Sequence, residues 1–375
     1  MGSQAFRGKD LSWFDDRQVL ADVAEIAEKK LQPLANRIDQ EGYYPSEIMR
    51  ELAVAGAYSG HLQRYGSRYD LAIDSMTEIS RHCGSTGFMS WCHDVCGLYM
   101  EQSGNSSLIA RLDGHVRGNT LGGTGLSNPM KALTGIEKMA LKAVKVDGGY
   151  IVNGCLPWVS HIRVGGYCGV IAGVSEKTDH EIMFLLDLDD RATLRECPKF
   201  SGMEGTSTWA IELGDYFVGE DQIIADPVRP FIKKVRPAFV LLQTGFGLGV
   251  TQGAIDSMVE VEDALGHVNQ FLHDRPTELQ PELDDLKAKI HELSSDVLNG
   301  TPEMLVDILD ARAQVSELAL RATQSALLHQ GARGYLMSSP VQRRIREAHF
   351  VAIVTPAIKH LRWEMSKLMK ADLAA

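Results

Sequence analysis

The sequence predicts an α+β protein of several domains, in which a helical segment, a β segment and a second helical segment follow one another. Apolar residues recur at helical spacing through the first 120 residues, and the same spacing returns after Pro230. Between these segments, glycines punctuate short runs rich in β-branched residues, as is typical of strands joined by turns. We therefore expect an N-terminal helical domain over 1–120, a middle β domain over 121–230 and a C-terminal helical domain over 231–375.

The first domain contains four stretches with helical periodicity. Residues 17–31 form an amphipathic pattern that includes an i,i+4 pair between Glu25 and Lys29. A second helix is expected from Pro45 to the glycine at position 56, which is suited to ending it. The pattern continues over 71–79 and 88–99.

The middle domain contains five runs that alternate or are continuously apolar over strand length. The first two are separated by Asp147-Gly148-Gly149, a typical hairpin turn. The five predicted strands are 143–146, 150–153, 167–172, 181–187 and 208–213.

The C-terminal domain is predicted to consist of long helices, over 238–265, 281–298, 302–330 and 340–370. Thr301 and Pro302 supply an N-cap followed by proline at the first helical position. Glycines at 245, 247 and 249 interrupt an apolar helix, where each costs about 1 kcal/mol relative to alanine. We expect another group to approach this helix closely.

Composition excludes several classes of protein. The chain has 375 residues and a formal net charge of −11, which disfavours nonspecific binding to nucleic acid or to anionic membranes. The first 20 residues are charged and lack an apolar core, and the apolar stretch 238–250 is too short to span a bilayer. We expect a cytoplasmic protein whose six cysteines are free thiols, and no metal site, because Cys92 and Cys96 near His93 lack the paired loop ligands typical of zinc.

Four motifs at compatible spacing resemble one family. They are Cys83-Gly-Ser-Thr-Gly-Phe-Met-Ser90, Val152-Asn-Gly-Cys-Leu-Pro-Trp-Val-Ser160, Gly202-Met-Glu-Gly-Thr-Ser-Thr-Trp209, and His329-Gln-Gly-Ala-Arg-Gly-Tyr335 followed by Pro340-Val341 and Arg346-Glu347-Ala348. At these residues the chain resembles the acyl-CoA dehydrogenases, and the similarity covers nearly its whole length. The resemblance implies the acyl-CoA dehydrogenase fold: a helical N-terminal domain, a central β-barrel-like domain and a C-terminal four-helix bundle.

The resemblance also implies FAD as cofactor. Trp158 corresponds to the residue that packs on the isoalloxazine, and groups near Val159 and Ser160 would bind the edge of that ring. Two further cofactor segments are implied: Ser127 and Asn128 in the counterpart of a threonine-glutamate-proline run, and the glycine turn that contains Gln330, Gly331 and Gly334.

The chain departs from the family pattern around the cofactor phosphates. The glycines and the serine-aspartate pair that follow the threonine-glutamate-proline run are absent after Asn128. An arginine-x-x-phenylalanine-glycine motif expected between Glu262 and Gln280 is also absent. Lys131 or Arg333 could supply compensating charge.

The largest departure concerns the catalytic base. Counting from Arg346-Glu347-Ala348, the glutamate that removes the α-proton in family dehydrogenases falls at Thr355. A threonine hydroxyl does not accept that proton near neutral pH, and loss of a positioned base costs about 10²–10⁴-fold. If the chain is a dehydrogenase, the candidates for the base are Asp94, His93 and Glu204.

Three functions follow from this pattern. The first is an FAD-dependent oxidoreductase that acts on an acyl thioester, such as an acyl-CoA, or a related carbonyl compound, as a homodimer or homotetramer with an electron-transfer flavoprotein as partner. The second is a flavin-dependent monooxygenase that receives reduced flavin from a separate reductase and uses His93 and Ser160. The third is a flavin-free binding protein. His93 also has a simpler interpretation, as a polar residue in a helix interface, and Gln243 either contacts the thioester or serves helix packing.

Overall fold

The structure is a computed structural model that describes residues 16–175 and 179–372. The first 15 residues of the predicted N-terminal domain and the last three of the C-terminal domain lie outside the described residues. Helices form the first part of the chain, and the helix predicted over 17–31 is α1 together with a following π-helical turn, Ala27–Leu31. The helices of this part are α1 Asp16–Ile26, α2 Ala35–Glu41, α3 Ser46–Val54, α4 Tyr69–His82, α5 Gly84–Gln102, α6 Ser106–Ile109 and α7 Leu112–Val116.

The middle part is an eight-stranded sheet that also contains one short helix, α8 Ser127–Leu133. The strands are β1 Gly122–Thr124, β2 Leu141–Val146, β3 Gly149–Val159, β4 Tyr167–Val174, β5 Glu181–Asp187, β6 Ala192–Glu196, β7 Trp209–Gly219 and β8 Ile223–Ala225. Their hydrogen-bonded order is β6-β7-β3-β2-β4-β5-β8, with β1 parallel to β4. In the part of the chain that the structure describes, β6 and β8 do not pair with each other, so the predicted barrel-like domain is a sheet that does not close.

Strands β4 and β5 are buried on both faces. Cys168, Val170 and Phe184 point into the sheet's own core, whereas Tyr167 and Met183 belong to the core shared with the helices. A strand covered on both sides needs apolar residues at every position. This explains why both strands read as continuous apolar runs in the sequence.

The C-terminal part consists of seven helices whose bounds differ in places from the predicted ones. They are α9 Val228–Leu242, α10 Thr244–Val259, α11 Glu262–Asn269, α12 Pro276–Leu293, α13 Pro302–Gln330, α14 Pro340–Ile353 and α15 Ile358–Asp372. The helix predicted from Pro281 begins at Pro276, because the Glu278 carboxylate accepts the Arg275 N–H and caps that earlier start. The helix predicted over 340–370 breaks after Ile353, because Pro356 disfavours helical conformation at the residue before it.

Helix α10 is the centre of the bundle and packs closely on two neighbours. A Cβ atom at Gly245 would lie 2.8 Å from the carbonyl oxygen of Ile73 on α4, and one at Gly247 would lie 2.3 Å from the Val315 side chain on α13. The groups that approach the glycines of α10 closely are therefore the neighbouring helices α4 and α13. The run Val228–Val259 is long and apolar enough to span a bilayer, but 94% of its most apolar window is buried inside the protein. The high hydropathy of α9 and α10 is therefore explained by their position in the protein core.

A fully buried arginine ties the helices of the bundle together. Arg312 on α13 donates from Nε to Gln243 Oε1 (2.7 Å) and from a terminal nitrogen to the carbonyl oxygen of Val351 (2.6 Å), and it also bonds Ser316. Gln243 in turn donates from Nε2 to the carbonyl oxygen of Thr355 at 3.3 Å. Burial lowers the pKa of Arg312 to about 9. No carboxylate lies within ion-pair distance of it among the described residues, so neutral acceptors alone satisfy this cation.

Four buried histidines line the junction between the N-terminal helices and the sheet: His61, His93, His115 and His161. The rings of His93 and His115 stack at 3.7 Å, and each Nε2 donates to the other's carbonyl oxygen at 3.0 Å. Nδ1 of His93 then accepts the N–H of Gly122, which requires the neutral ring. Burial lowers the pKa of His93 to about 3 and that of His61 to about 4.

We expect Gln243→Met to destabilise the protein. The substitution keeps the side-chain volume but leaves the Nε–H of buried Arg312 without its acceptor, which costs about 1–3 kcal/mol of unfolding free energy. The control is Gln314→Met on α13, whose hydrogen bond to Asp310 is exposed, and whose effect should stay within about 0.5 kcal/mol. Denaturant unfolding of both variants checks this, and equal midpoints would contradict the assigned importance of Arg312.

Acid should destabilise the protein through the histidine cluster. A histidine whose folded pKa is depressed favours folding fully above its unfolded value of about 6.5, and this stability is lost as pH falls through that value. His93 alone then contributes a loss of about 1.4 kcal/mol between pH 7.5 and 5.5.

The measurement is unfolding free energy at pH 7.5 and 5.5 for the wild type and His93→Gln. The difference between the two pH values should be smaller in His93→Gln by about 1.4 kcal/mol. The exposed His267 provides the control variant His267→Gln, which should keep the wild-type difference. An unchanged difference in His93→Gln would rule out this role for the cluster.

Candidate active site

A cavity of about 440 Å³ opens where the three parts of the chain meet. It has a volume within the range of small-molecule sites and a mostly apolar lining with a few polar groups. Helices α5, α8, α9 and α14, the ends of β1 and β3, and the segment before β7 all contribute. The side chains that line it include Phe88, Trp91, Thr124, Ser127, Lys131, Trp158, Ser160, Met203, Thr206, Thr208, Phe239, Arg346, His349, Phe350, Ile353 and Thr355.

Trp158 projects into this cavity because β3 carries a bulge at that point. Leu156 pairs with Ile211 and Val159 with Trp209, so two residues of β3 oppose one residue of β7. A β-bulge of this kind bends the strand and re-aims a side chain. The Trp158 side chain is 62% exposed, and its ring meets that of Phe200 edge-to-face at 6.2 Å.

A chain of hydroxyl groups forms the wall next to Trp158. Ser160 Oγ lies 2.7 Å from Thr208 Oγ1, which lies 2.9 Å from Thr206 Oγ1, and Thr206 donates to the carbonyl oxygen of Met203. Two backbone hydrogen bonds join the segment after β3 to the segment before β7. They run from His161 N to Thr206 O and from residue 162 N to residue 207 O. Met203 and His161 have φ of 67° and 63°, and such strained residues persist only where surrounding bonds hold them.

Aromatic rings form the apolar floor of the cavity. Phe88 stacks on Trp91 at 5.5 Å and meets Phe350 edge-to-face at 4.7 Å, and Trp91 contacts Phe239 in the same manner at 4.9 Å. Trp91 also donates its indole N–H to the Phe239 carbonyl oxygen. The floor is therefore rigid as well as apolar.

Thr355 lies at the rim, in the break between α14 and α15. Its hydroxyl is 3.1 Å from Ser127 Oγ on α8, and its carbonyl oxygen accepts the hydrogen bond from Gln243. The buried network of Arg312 thus sets the position of this rim residue.

Among the described residues, three ionisable side chains line the cavity. None of the three is a carboxylate. Lys131 donates to Glu137 Oε1 at 2.5 Å, and this hydrogen bond lowers the pKa of Glu137. Arg346 binds both carboxylate oxygens of buried Asp39 at 2.6 Å. The third is His349.

The structure brings together four of the predicted site residues and separates the others. Thr355, Ser127, Trp158 and Ser160 all line the cavity. Val159 instead points into the sheet core, with 2% of its surface exposed, because side chains alternate along β3.

Asn128 is also outside the cavity. Its amide bonds Glu137 and the carbonyl oxygen of Lys138, and its side-chain oxygen accepts the N–H of Ala140. These bonds shape the connection from α8 to β2.

His93 and Asp94, two of the predicted candidates for the base, do not line the cavity. His93 bonds His115 and Gly122 within the buried cluster, and Asp94 lies 3.8 Å from His61 with burial raising its pKa well above its usual value. The interpretation of His93 as part of a helix interface describes its position. Glu204, the third candidate base, accepts the N–H of Phe200 and is likewise not a lining residue.

Gln330, Gly331 and Gly334 lie at the far end of α13 and do not join Trp158 within one chain. Gln330 donates to the carbonyl oxygen of Ser257, and Gly334 packs on Leu327. The long helix α13 carries this turn away from the cavity. Gln243 is fully buried, and its amide is hydrogen-bonded to Arg312 and to the Thr355 carbonyl oxygen.

Sequence reasoning missed His349 and the aromatic floor. A signal for His349 was present, because it follows Arg346 by three residues on a helix, and residues at that spacing share a face. The floor had no such signal, because its rings come from α5, α9 and α14. Over residues 16–175 and 179–372, no group of three or more potential metal-ligating side chains occurs.

Comparison with known proteins agrees with this architecture. The sequence model for the acyl-CoA dehydrogenase N-terminal domain matches residues 15–112, and that for the C-terminal domain matches 279–355. Benzylmalonyl-CoA dehydrogenase of Aromatoleum aromaticum is 23% identical over 92% of this chain and 95% of its own. Isovaleryl-CoA dehydrogenase of Arabidopsis thaliana is 25% identical over 91% of this chain and 88% of its own.

Solved structures share the fold over nearly the whole chain. Butyryl-CoA dehydrogenase of Megasphaera elsdenii superimposes with a TM-score of 0.83, at 19% identity, over 99% of this chain and all of that one. FMN-bound TdsC of Paenibacillus, a dibenzothiophene monooxygenase, superimposes with a TM-score of 0.78 at 15% identity, over 94% of this chain and 96% of its own. With both terminal domains matched and relatives aligned over more than nine-tenths of its length, the chain belongs to the acyl-CoA dehydrogenase family.

Proposed function

We propose that this protein is a flavin-dependent oxidoreductase that binds FAD in the cavity and oxidises an acyl thioester there. The observation that carries the proposal is the exposed indole of Trp158, which the bulge in β3 places in the lining of an apolar cavity, beside a wall of hydroxyl groups.

The lining fits the chemistry of a flavin ring. The isoalloxazine is a flat, largely apolar plate with polar edges, so Trp158 covers one face while hydroxyls meet the edge. Ser160 and Thr208 share one hydrogen bond, and each hydroxyl still has an acceptor lone pair for a ring N–H. Ser127 and Thr355 offer a second hydroxyl pair in the lining.

The cavity offers fewer favourable contacts to the diphosphate of FAD than to its isoalloxazine ring. The cavity offers two cations, Lys131 and Arg346, but Glu137 and Asp39 already neutralise them. A diphosphate would compete with these carboxylates, consistent with the loss of the family's phosphate-binding glycines after Asn128. We infer that the ring supplies most of the affinity for FAD.

Acyl thioesters are the substrate class favoured by the relatives, which are named as dehydrogenases of benzylmalonyl-CoA and isovaleryl-CoA. Bound flavin supplies an acceptor for a hydride from the β-carbon. The protein's own residues hold the acyl chain over the floor formed by Phe88, Trp91 and Phe239. An electron-transfer flavoprotein would reoxidise the flavin, and we propose a homodimer or homotetramer.

Thr355 takes the position of the family's catalytic glutamate in this proposal. Its hydroxyl bonds Ser127 and its carbonyl oxygen is fixed by Gln243, so it shapes the rim. A hydroxyl there does not accept a proton near neutral pH. Oxidation of a thioester therefore requires a base elsewhere in the cavity.

One observation favours a second function, that of a flavin-dependent monooxygenase. No carboxylate lines the cavity in the described chain, and an oxygenation does not require the removal of an α-proton by one. TdsC, which has this fold, is described as a dibenzothiophene monooxygenase. In this alternative a separate reductase supplies reduced flavin.

We expect the protein to retain FAD, with a perturbed visible spectrum, after incubation with the cofactor and gel filtration. Trp158→Ala removes the face contact and should weaken FAD affinity about tenfold or more, since about 1.4 kcal/mol corresponds to a factor of ten. Trp363→Ala is the control, because Trp363 on α15 contacts Lys367 and His360 outside the cavity. Equal affinities in all three proteins, measured by flavin fluorescence, would remove Trp158 from the site.

Anaerobic titration separates the two functions. If the protein oxidises acyl thioesters, butyryl-CoA or isovaleryl-CoA should bleach the flavin absorbance of the FAD-loaded protein without oxygen. Absence of bleaching, together with oxygen consumption when chemically reduced flavin is supplied, would contradict the first function and support the monooxygenase.

A further inference from the structure

We propose that His349 is the general base of this site, taking the α-proton of the acyl thioester in place of the family's glutamate. The inference rests on the proposed function, because it assumes a thioester in the cavity. It assigns a role to a residue that the family pattern does not mark.

His349 belongs to the face of α14 that lines the cavity. Arg346, His349, Phe350 and Ile353 follow at positions i, i+3, i+4 and i+7, and all four are lining residues. Residues at this spacing form one stripe along a helix. Thr355 follows the end of α14 by two residues and lines the same cavity as His349.

The other ionisable groups of the cavity are unsuited to accept a proton. Arg346 remains protonated at any relevant pH and is held by Asp39 through two hydrogen bonds. Lys131 donates to Glu137 and carries no free lone pair while it is charged. The Thr355 hydroxyl is weakly basic, and it bonds Ser127.

Among the described residues, the imidazole of His349 is both unpaired and exposed to solvent, as a base requires. Over residues 16–175 and 179–372 its side chain has no hydrogen bond and no ion pair, in contrast to buried His93, whose two nitrogens are both engaged. It is also exposed at the cavity mouth, so an accepted proton can pass to water. An imidazole is the side chain whose charge ordinarily changes between pH 5 and 8.

The step balances with the groups already named. The α-C–H bond breaks and its proton goes to the neutral imidazole of His349, while the β-hydrogen leaves as hydride to the bound flavin. The two carbons form a double bond, so the substrate loses two electrons and the flavin gains them. The imidazolium then releases its proton to solvent.

The charges around His349 set the expected pH dependence. Arg346 on its own helix and Lys131 on α8 both face the cavity, and each is offset by a partner carboxylate, Asp39 or Glu137. The neutral imidazole is the active form. Proton removal should therefore be faster with the neutral imidazole than with the protonated one.

The experiment measures exchange of the α-protons of butyryl-CoA and isovaleryl-CoA in D₂O by NMR, using the FAD-loaded protein. We expect wild type to catalyse this exchange, and His349→Gln to lower its rate about 10²–10⁴-fold and to abolish its dependence on pH between 5 and 8. Thioester affinity and the flavin spectrum should be unchanged. His267→Gln, at an exposed histidine outside the cavity, is the matched control and should behave as wild type.

The outcomes distinguish this inference from the proposed function. Wild-type exchange in His349→Gln, no exchange in wild type with either thioester, or a variant that loses thioester binding together with exchange would each overturn the assignment of His349. Flavin bleaching that persists in His349→Gln at the wild-type rate would leave the proposed function standing while the base is refuted. Exchange that depends on His349 without any flavin reduction would uphold the base and refute the dehydrogenation.

Discussion

The buried guanidinium of Arg312 is the interaction on which the geometry of the site depends. A cation inside a helical bundle without a carboxylate partner must find neutral acceptors for its donors, since an unsatisfied buried charge is strongly destabilising. Gln243, Ser316 and the Val351 carbonyl oxygen supply them. These groups lie on or beside α9, α13 and α14, so satisfying one side chain fixes three helices relative to one another. Gln243 then passes this constraint to the Thr355 rim.

The second constraint is the close packing that brings the helical parts of the chain and the sheet to one cavity. Glycines on α10 let α4 and α13 approach closely, and the sheet adds its two-sided strands β4 and β5 to the same core. The cavity persists where this packing ends. Strained residues, Met203 and His161, border it, and the hydrogen bonds between the segments that follow β3 and precede β7 hold them there.

The electrostatic character of the cavity sets this chain apart from the pattern that its family resemblance implies. The lining contains cations that are already paired and no carboxylate in the described chain. Such a lining suits an apolar ring through shape and hydroxyl contacts, and in our proposal the imidazole of His349 transfers the proton. Asp94 and Asp39 lie outside the lining: burial raises the pKa of Asp94 well above its usual value, and Asp39 binds Arg346. In our proposal, the acid-base chemistry of this site therefore differs from the pattern of its family, although the fold is shared.

The sequence alone determined the order of helical and β segments, because hydrophobic periodicity and glycine turns are local signals. It also located Trp158, Ser160, Ser127 and Thr355, because they lie within motifs. The bulge that aims Trp158, the open ends of the sheet and the break after Ile353 depend on pairing or on local backbone competition that periodicity does not record.

Only the tertiary structure decided which polar residues face the cavity. His93 and His349 are both histidines on helices, and their sequence neighbourhoods do not rank them. Packing against His115 and Gly122 turns His93 inward, whereas the stripe of α14 leaves His349 at the mouth. The physical reason is that a side chain's role depends on contacts between residues far apart in sequence, and only folding fixes those contacts.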